Sequence, residues 1–362
     1  MYHSFKRLCD RWRYEPLQSH SGQDPSRWQR WSRSWVGTGL AVAFGIAAVF
    51  VIARAILYRR PYNPLDDYQE LNQFPVTADN AAHHHRRAVV SSLYSDGYAI
   101  AVAVVGHSAR SANVTARLLL PYLGNKVSDK ALCIVRTIGW EPYPVPRIPP
   151  PDGGKGIFWR FVDQYTKLNV WTLDKMGIDS AVYLDADTLV RRNFDELFDI
   201  PFNFAAVPDV YTGGFSLSFN AGVLAYRPSS TVFEDMLQKL EVAEYPLAEA
   251  EQAFLNLYFG GTCMRLPYIY NANLAIKGRS PVLWQRLADE MRIVHYTLVK
   301  PFLQDMRSTD TVLSPEDIED AMEKAARIED GFYREEMGWW REAYRRMMLD
   351  HGHAISQCRQ SS

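Results

Sequence analysis

Ala181 to Asp199 reads AVYLDADTLVRRNFDELFD. Four apolar residues, Ala181-Val182-Tyr183-Leu184, run straight into Asp185-Ala186-Asp187. A short apolar run closed by polar residues reads as a buried strand. In open α/β sheets, ligands bind beyond the carboxyl ends of the strands. Two carboxylates one residue apart repel each other, so the pair calls for a cation. Hard oxygen ligands suit Mg²⁺ or Mn²⁺, ions that commonly hold a phosphate as well. The plainer alternative is that Asp185 ends the strand and Asp187 caps the next turn of chain.

Outward from this stretch, short apolar runs recur. Val89–Leu93, Leu132–Val135, Phe204–Val207, Gly222–Tyr226 and Ile293–His295 read as strands, the third stopped by Pro208-Asp209 and the fourth by Arg227-Pro228. Ala99–Val105 is apolar throughout, so periodicity leaves strand and buried helix open. Residues 161–176 read as a helix ended by Gly177. A capping box at Thr231–Glu234 opens a second helix, and 248–259 is a third. Residues 141–156, rich in Pro and Gly, and the glycine-bearing 210–218 read as loops. Beyond Ser314 the chain is helical and charged, with a break near Gly331. There is no internal repeat. Strands alternating with helices indicate an α/β sheet covered on both faces.

The chain has 362 residues, 47% hydrophobic and 22% charged, with a net charge of -1. That balance gives no electrostatic case for nucleic acid. Cys9, Cys133, Cys263 and Cys358 show neither metal-ligand spacing nor the density of a disulfide scaffold. No residue from Val36 to Ala53 is charged, and Trp35 and Tyr58 flank the run, so 35–58 is expected to anchor in a membrane. Seven Lys and Arg residues between Lys6 and Arg33 precede it, so the positive-inside rule puts residues 1–34 in the cytoplasm. Residues 59–87 then read as a stem with three prolines and His83-His84-His85, a run that suits a solvated linker better than one tetrahedral metal site. The sequon Asn113-Val114-Thr115 is compatible with a lumenal body.

With YSDGYAIAVAVVGHS, YTKLNVWTL, YLDADTLVRRNFDELFD, FNAGVLAYRPS, AEQAFLNLYF, LPYIYN and VHYTLVKPF in this order and spacing, the chain over about residues 88–302 resembles glycosyltransferase family 8, which includes glycogenin and galactinol synthase. The resemblance implies a GT-A fold, a single Rossmann-like nucleotide-sugar-binding domain with a mainly parallel central sheet at 88–306. A helical C-terminal extension occupies 307–362. The resemblance makes Ala99–Val105 a helix. It implies a retaining transfer of glucose, galactose or N-acetylglucosamine from a UDP-sugar donor to a glycan or glycoconjugate acceptor, with Mn²⁺ or Mg²⁺. The whole arrangement, of fungal type, would be a single-pass type II protein of the Golgi or another secretory-pathway membrane.

The resemblance also implies residue roles. Asp185, Asp187 and His295 match the metal ligands, and imidazole beside carboxylates suits Mn²⁺. Lys300 matches the lysine that holds the diphosphate and would stabilise the departing UDP. Lys167 matches a basic residue near the donor, and Arg160 is a weaker candidate for the same role. Tyr98 matches the aromatic packed on uracil, with Asp96 near the base. Asp209, Asn220 and Ala221 match positions lining the sugar. Glu251 and Gln252 match an acidic–glutamine pair beside the reacting carbon.

The chain departs from glycogenin in that last segment, where Asp-Gly-Gly-Asp-Gln is replaced by Ala248-Glu249-Ala250-Glu251-Gln252. No tyrosine follows Tyr270 where glycogenin carries its own acceptor, which disfavours self-priming. The competing readings are a catalytically inactive nucleotide-sugar-binding protein, a glycogenin-like cytosolic glucosyltransferase, and a membrane scaffold. For the scaffold, the apolar stretch Trp339 to Met348 would have to face a partner rather than pack back onto the body.

Overall fold

The computed structural model describes residues 27–58, 86–211, 214–240, 242–303 and 310–360. They divide into a unit ending at Tyr62 and a body beginning at Asn63. In the first, Arg27–Tyr58 forms one helix, α1. Its side chains are described over 40–55. Among the described residues no helix is long and apolar enough to cross a membrane. This overturns the expected anchor at 35–58 and, with it, the type II topology, the secretory-pathway location and the membrane as partner. Residues 1–26 and most of the expected stem, His83–His85 included, lie outside the described residues.

The body is built on a seven-stranded sheet. Its strands are Arg87–Val90 (β1), Arg117–Tyr122 (β2), Trp140–Pro144 (β3), Ser180–Leu184 (β4), Phe204–Tyr211 (β6), Gly214–Tyr226 (β7) and Met264–Arg265 (β8). Thr188–Val190 (β5) belongs to a second sheet. The order is β3-β2-β1-β4-β7-β6-β8. β1 runs parallel to β2 and β4, β2 to β3, and β6 to β8, while β7 is antiparallel to both neighbours. The sheet is therefore mainly parallel, as expected.

Burial explains why these strands read as unbroken apolar runs. Val89, Val182, Val223 and Ala225 pack into one core, whereas Ala88, Val90, Ala181, Tyr183 and Leu224 pack into the other. Side chains alternate faces along a strand, and both faces are covered, so neither set can be polar. The first face is covered by Ala99–Ser111 (α2) and Asp129–Thr137 (α3), the second by the helical segment Gln164–Met176 and by Ala250–Phe259. Ser230–Leu240 is α4, which makes Ala250–Phe259 α5.

Some sequence expectations fail locally. Leu132–Val135 lies in α3 rather than in a strand, because Ser128 caps the helix by accepting from the Ala131 N–H at 3.2 Å. Glu141–Pro144, inside the stretch expected to be loop, pairs with β2 as part of β3. β6 continues past Pro208 with a shift of register there. Ser229, not Thr231, supplies the side chain that accepts from the α4 backbone at Val232.

A three-stranded sheet joins β5 to Ala272–Asn273 (β9) through Ile293–His295 (β10). Leu274–Arg279 (α6) and Pro281–Leu287 (α7) lie between β9 and β10, and Pro315–Ala325 (α8) and Arg334–Gln360 (α9) end the chain. The apolar stretch of α9 turns inward: Trp340 and Met347 are fully buried, and Trp340 stacks on Tyr344. Glu336, also fully buried, accepts from Lys277 at 2.7 Å and from Trp284 Nε1 at 2.8 Å. A disulfide between Cys133 on α3 and Cys358 on α9 fastens the far end, across a sequence separation of 225.

Candidate active site

β1 and β4 are adjacent and parallel; the next strand after β1, β2, lies on the β1 side, whereas the strands that rejoin the sheet after β4, β6 and β7, lie on the β4 side. Their carboxyl ends thus meet at the point where strand order reverses, the usual ligand crevice of such sheets. A cavity of about 810 Å³ opens there, lined by Tyr98, Lys167, Asp185, Asp187, Glu251 and His295 among others.

Asp185 is the first residue beyond β4. Its N–H donates to Gly222 O at 2.8 Å, and the Tyr183 hydroxyl donates to its Oδ1 at 2.9 Å. Tyr183 is itself 2.8 Å from Ser92 Oγ. Burial and then the Asp185 charge push the Tyr183 phenol well up, so it keeps its proton for this bond.

The small sheet brings His295 to the same place. β10 pairs antiparallel with β5, setting His295 opposite Thr188, and the Tyr296 N–H donates to Asp187 O at 2.9 Å. One donor atom each from Asp185, Asp187 and His295 fall within 4.8 Å of one another. Gly222 leaves the room this requires: a Cβ there would lie 2.1 Å from His295 Cε1.

A chain of amides orients the imidazole. The Gly222 N–H donates to Asn220 Oδ1 at 3.0 Å, and Asn271 Nδ2 donates to the same oxygen at 2.9 Å. Asn271 Oδ1 is therefore an acceptor, and it lies 3.0 Å from His295 Nδ1. A proton on Nδ1 leaves Nε2 to face Asp187 and a cation. With a divalent cation on this cluster, Asn271→Leu should weaken its binding by about 10- to 100-fold, as loss of such outer partners does. A calorimetric Mn²⁺ titration checks this, with circular dichroism to confirm the fold.

Charge is balanced by two lysines. Lys300 forms an ion pair with Asp187. Burial alone would raise the Asp187 pKa, but Lys300 and then His295 overcome that and hold the carboxyl well below the usual range. Lys167 is 1% exposed, with Nζ 3.1 Å from Asp185 Oδ1 and 2.8 Å from Glu251 Oε1. Burial would lower its pKa; Asp185 and Glu251 together raise it instead.

Glu251 opens α5, where a carboxylate suits the positive end of the helix. The preceding Ala250 has φ 50 and ψ -133, a conformation that glycine tolerates and alanine does not. Ala250→Gly should therefore stabilise the body by about 1 kcal/mol net of glycine's own entropy. A thermal melt should show a midpoint about 2 °C higher.

Gln252 Oε1 accepts from the Ala221 N–H at 3.0 Å, and its Nε2 donates to Asp209 Oδ2 at 3.0 Å. Asp209 stands behind the wall rather than on it and orients Gln252 and Asn220. Asp96 is likewise turned away from the cavity, accepting from the Ser128 N–H at 2.8 Å. Tyr98 lines the cavity, edge-on to Phe302, and its hydroxyl accepts from Arg160 at 3.2 Å. Sequence reasoning missed Ser92, Tyr183 and Asn271. Tyr183 was readable, since it shares a strand face with Asp185 two residues on.

The model of "Glycosyl transferase family 8" matches residues 159–305. Galactinol synthase 2 of Solanum lycopersicum is 32% identical over 194 residues, 45% of this chain and 54% of that protein. The chain thus spans about half the length of that relative. Glycogenin of Neurospora crassa is 27% identical over 225 residues, 60% of this chain and 32% of that one. Among solved structures, the apo-form glycosyltransferase GlyE of Streptococcus pneumoniae TIGR4 aligns with a TM-score of 0.47 and 19% identity, over 73% of this chain and 64% of that one. The family that these sequence matches support, over the segment carrying Asp185, Asp187, Glu251 and His295, is glycosyl transferase family 8.

Proposed function

We propose that the body is a GT-A domain performing metal-dependent, retaining transfer of a hexosyl unit from a UDP-sugar to an acceptor hydroxyl. The observation that carries this reading is the Asp185–Asp187–His295 cluster at the strand ends, within a cavity large enough for a nucleotide sugar. Two carboxylates and an imidazole with its second nitrogen engaged form a donor set suited to Mn²⁺, with Mg²⁺ the alternative. The cation would supply Lewis-acid stabilisation of the diphosphate.

The chain's own groups do the rest. Lys300, beside Asp187, neutralises charge on the departing diphosphate. Lys167 holds Glu251 and Asp185 in place as a fixed buried cation. Gln252, clamped by Ala221 and Asp209, presents a rigid wall to the sugar with Asn220 and Ala221, while Tyr98 packs on the base. The acceptor oxygen bonds to C1 of the hexose as the C1–O bond to the diphosphate breaks. The electron pair leaves with UDP, and the hydroxyl proton passes to the departing phosphate or to solvent. Retention is compatible with same-face attack and with an adduct on Glu251, and mass spectrometry of a stalled reaction separates the two.

The test incubates the full chain with Mn²⁺ and UDP-glucose, UDP-galactose or UDP-N-acetylglucosamine and measures UDP release. Release from one donor, abolished by chelator, is expected. Absence of metal-dependent UDP binding would overturn the reading.

A further inference from the structure

Two aromatic side chains, Trp159 and Phe161, line one edge of the cavity, a third, Phe158, packs against both, and the donor chemistry leaves them without a task. Phe158, Trp159 and Phe161 are 49%, 51% and 37% exposed. No other stretch of the body exposes three large apolar side chains so close together among the described residues. The Phe158 ring centroid lies 5.6 Å from that of Trp159 and 5.6 Å from that of Phe161. Contiguous apolar surface at the mouth of a polar cavity marks a binding surface rather than an ordinary exposed residue.

The rim is held, not trailing. The Phe161 N–H donates to Phe158 O at 2.8 Å, which closes a turn. Arg160, between the rings, reaches the other way to the Tyr98 hydroxyl. Just beyond, Asp163 is gripped by Lys126 and by Arg147 Nε at 2.7 Å. Trp159 and Phe161 line the same cavity as Glu251, Gln252 and Ala248. A group lying on the rings can therefore reach toward the reacting centre.

The occupant must be apolar on one face, to lie on the rings, and polar at its edges, because the cavity around them is lined by Lys126, Gln164 and Glu249. It must also carry a hydroxyl. A pyranose meets all three conditions: its C–H face packs on an aromatic ring, and its hydroxyls point outward in the ring plane. We propose that Phe158, Trp159 and Phe161 form the acceptor platform, on which the pyranose ring of a saccharide stacks with one hydroxyl directed into the cavity. This deepens the transferase reading and rests on it.

The experiment uses the full chain with Mn²⁺ and the donor that supports UDP release. Methyl α- and β-glucopyranoside, methyl β-galactopyranoside, maltose and lactose serve as acceptor probes. UDP affinity is measured separately by calorimetry. Trp159→Ala should raise the KM of the saccharide acceptor about 10-fold while the Kd for UDP stays within about twofold, and Trp159→Phe should restore most of the loss. A raised UDP Kd in Trp159→Ala would assign the ring to the donor and overturn the platform. So would an unchanged acceptor KM, or an active enzyme that uses none of the saccharides. If the wild-type chain binds no UDP with Mn²⁺, the transferase reading itself fails and the platform falls with it.

Discussion

On the proposed transfer, Asp187→Asn should lower kcat/KM for the preferred UDP-sugar on the order of 10³-fold, about 4 kcal/mol of transition-state stabilisation. Asp187 is 8% exposed and meets both Lys300 and His295, whose Nε2 is 3.2 Å from Oδ1. Its carboxyl is depressed, so the stability it contributes is present above the unfolded value near 4 and lost only as pH falls through the lower folded value. At neutral pH the group is a full anion. An amide of the same shape keeps the packing but removes that charge, leaving His295 and Lys300 without the anion they share. Mn²⁺-dependent UDP binding should disappear while the circular dichroism spectrum is unchanged. Steady-state UDP release and a calorimetric titration check both. Wild-type Mn²⁺ affinity in this variant would move the cation away from β4.

The parts of this site visible in the sequence are those fixed by local pattern. Ala181–Leu184 is apolar because both faces of β4 are covered, and the strand must end where the carboxylates begin, so fold and Asp-x-Asp were legible together. Leu132–Val135 was not, since four apolar residues satisfy either period, and the cap that decides for helix lies four residues upstream at Ser128. The Cys133–Cys358 disulfide depends on where α9 docks, and no spacing rule reaches across 225 residues. Asn271 acquires its role only because β9 pairs with β10 and brings it beside His295. Asp96 and Asp209 illustrate the opposite limit. A matching position identifies a neighbourhood, but whether the carboxylate faces the cavity or a backbone N–H is settled by packing. The expected membrane anchor rested on the uncharged run 36–53, its flanking Trp35 and Tyr58 and the basic residues before it, yet among the described residues no helix is long and apolar enough to cross a membrane.

Lys167→Met should cost about 3–5 kcal/mol of stability and most of the activity as well. A lysine whose task is to meet a bound diphosphate would be largely exposed and cheap to remove from the empty protein. Lys167 is instead 1% exposed, donates to Ala221 O at 3.2 Å, and lies over the Tyr183 ring at 4.8 Å. Its two carboxylate partners come from different elements, Asp185 beyond β4 and Glu251 at the start of α5. Its pKa is raised, so its contribution is complete below the unfolded lysine value near 10.4 and is lost only as pH climbs through the folded value. At neutral pH the brace is therefore at full strength, and removing it leaves two carboxylates facing each other with Glu251 only 6% exposed. The discriminating variant is Lys167→Met combined with Glu251→Gln. If Lys167 works by neutralising Glu251, the double change should recover part of the lost stability, a coupling of about 1–3 kcal/mol in a denaturant cycle, without recovering turnover. If Lys167 acts on the donor instead, the single variant should keep wild-type stability and show only a raised KM for the UDP-sugar, and the cycle should close with no coupling.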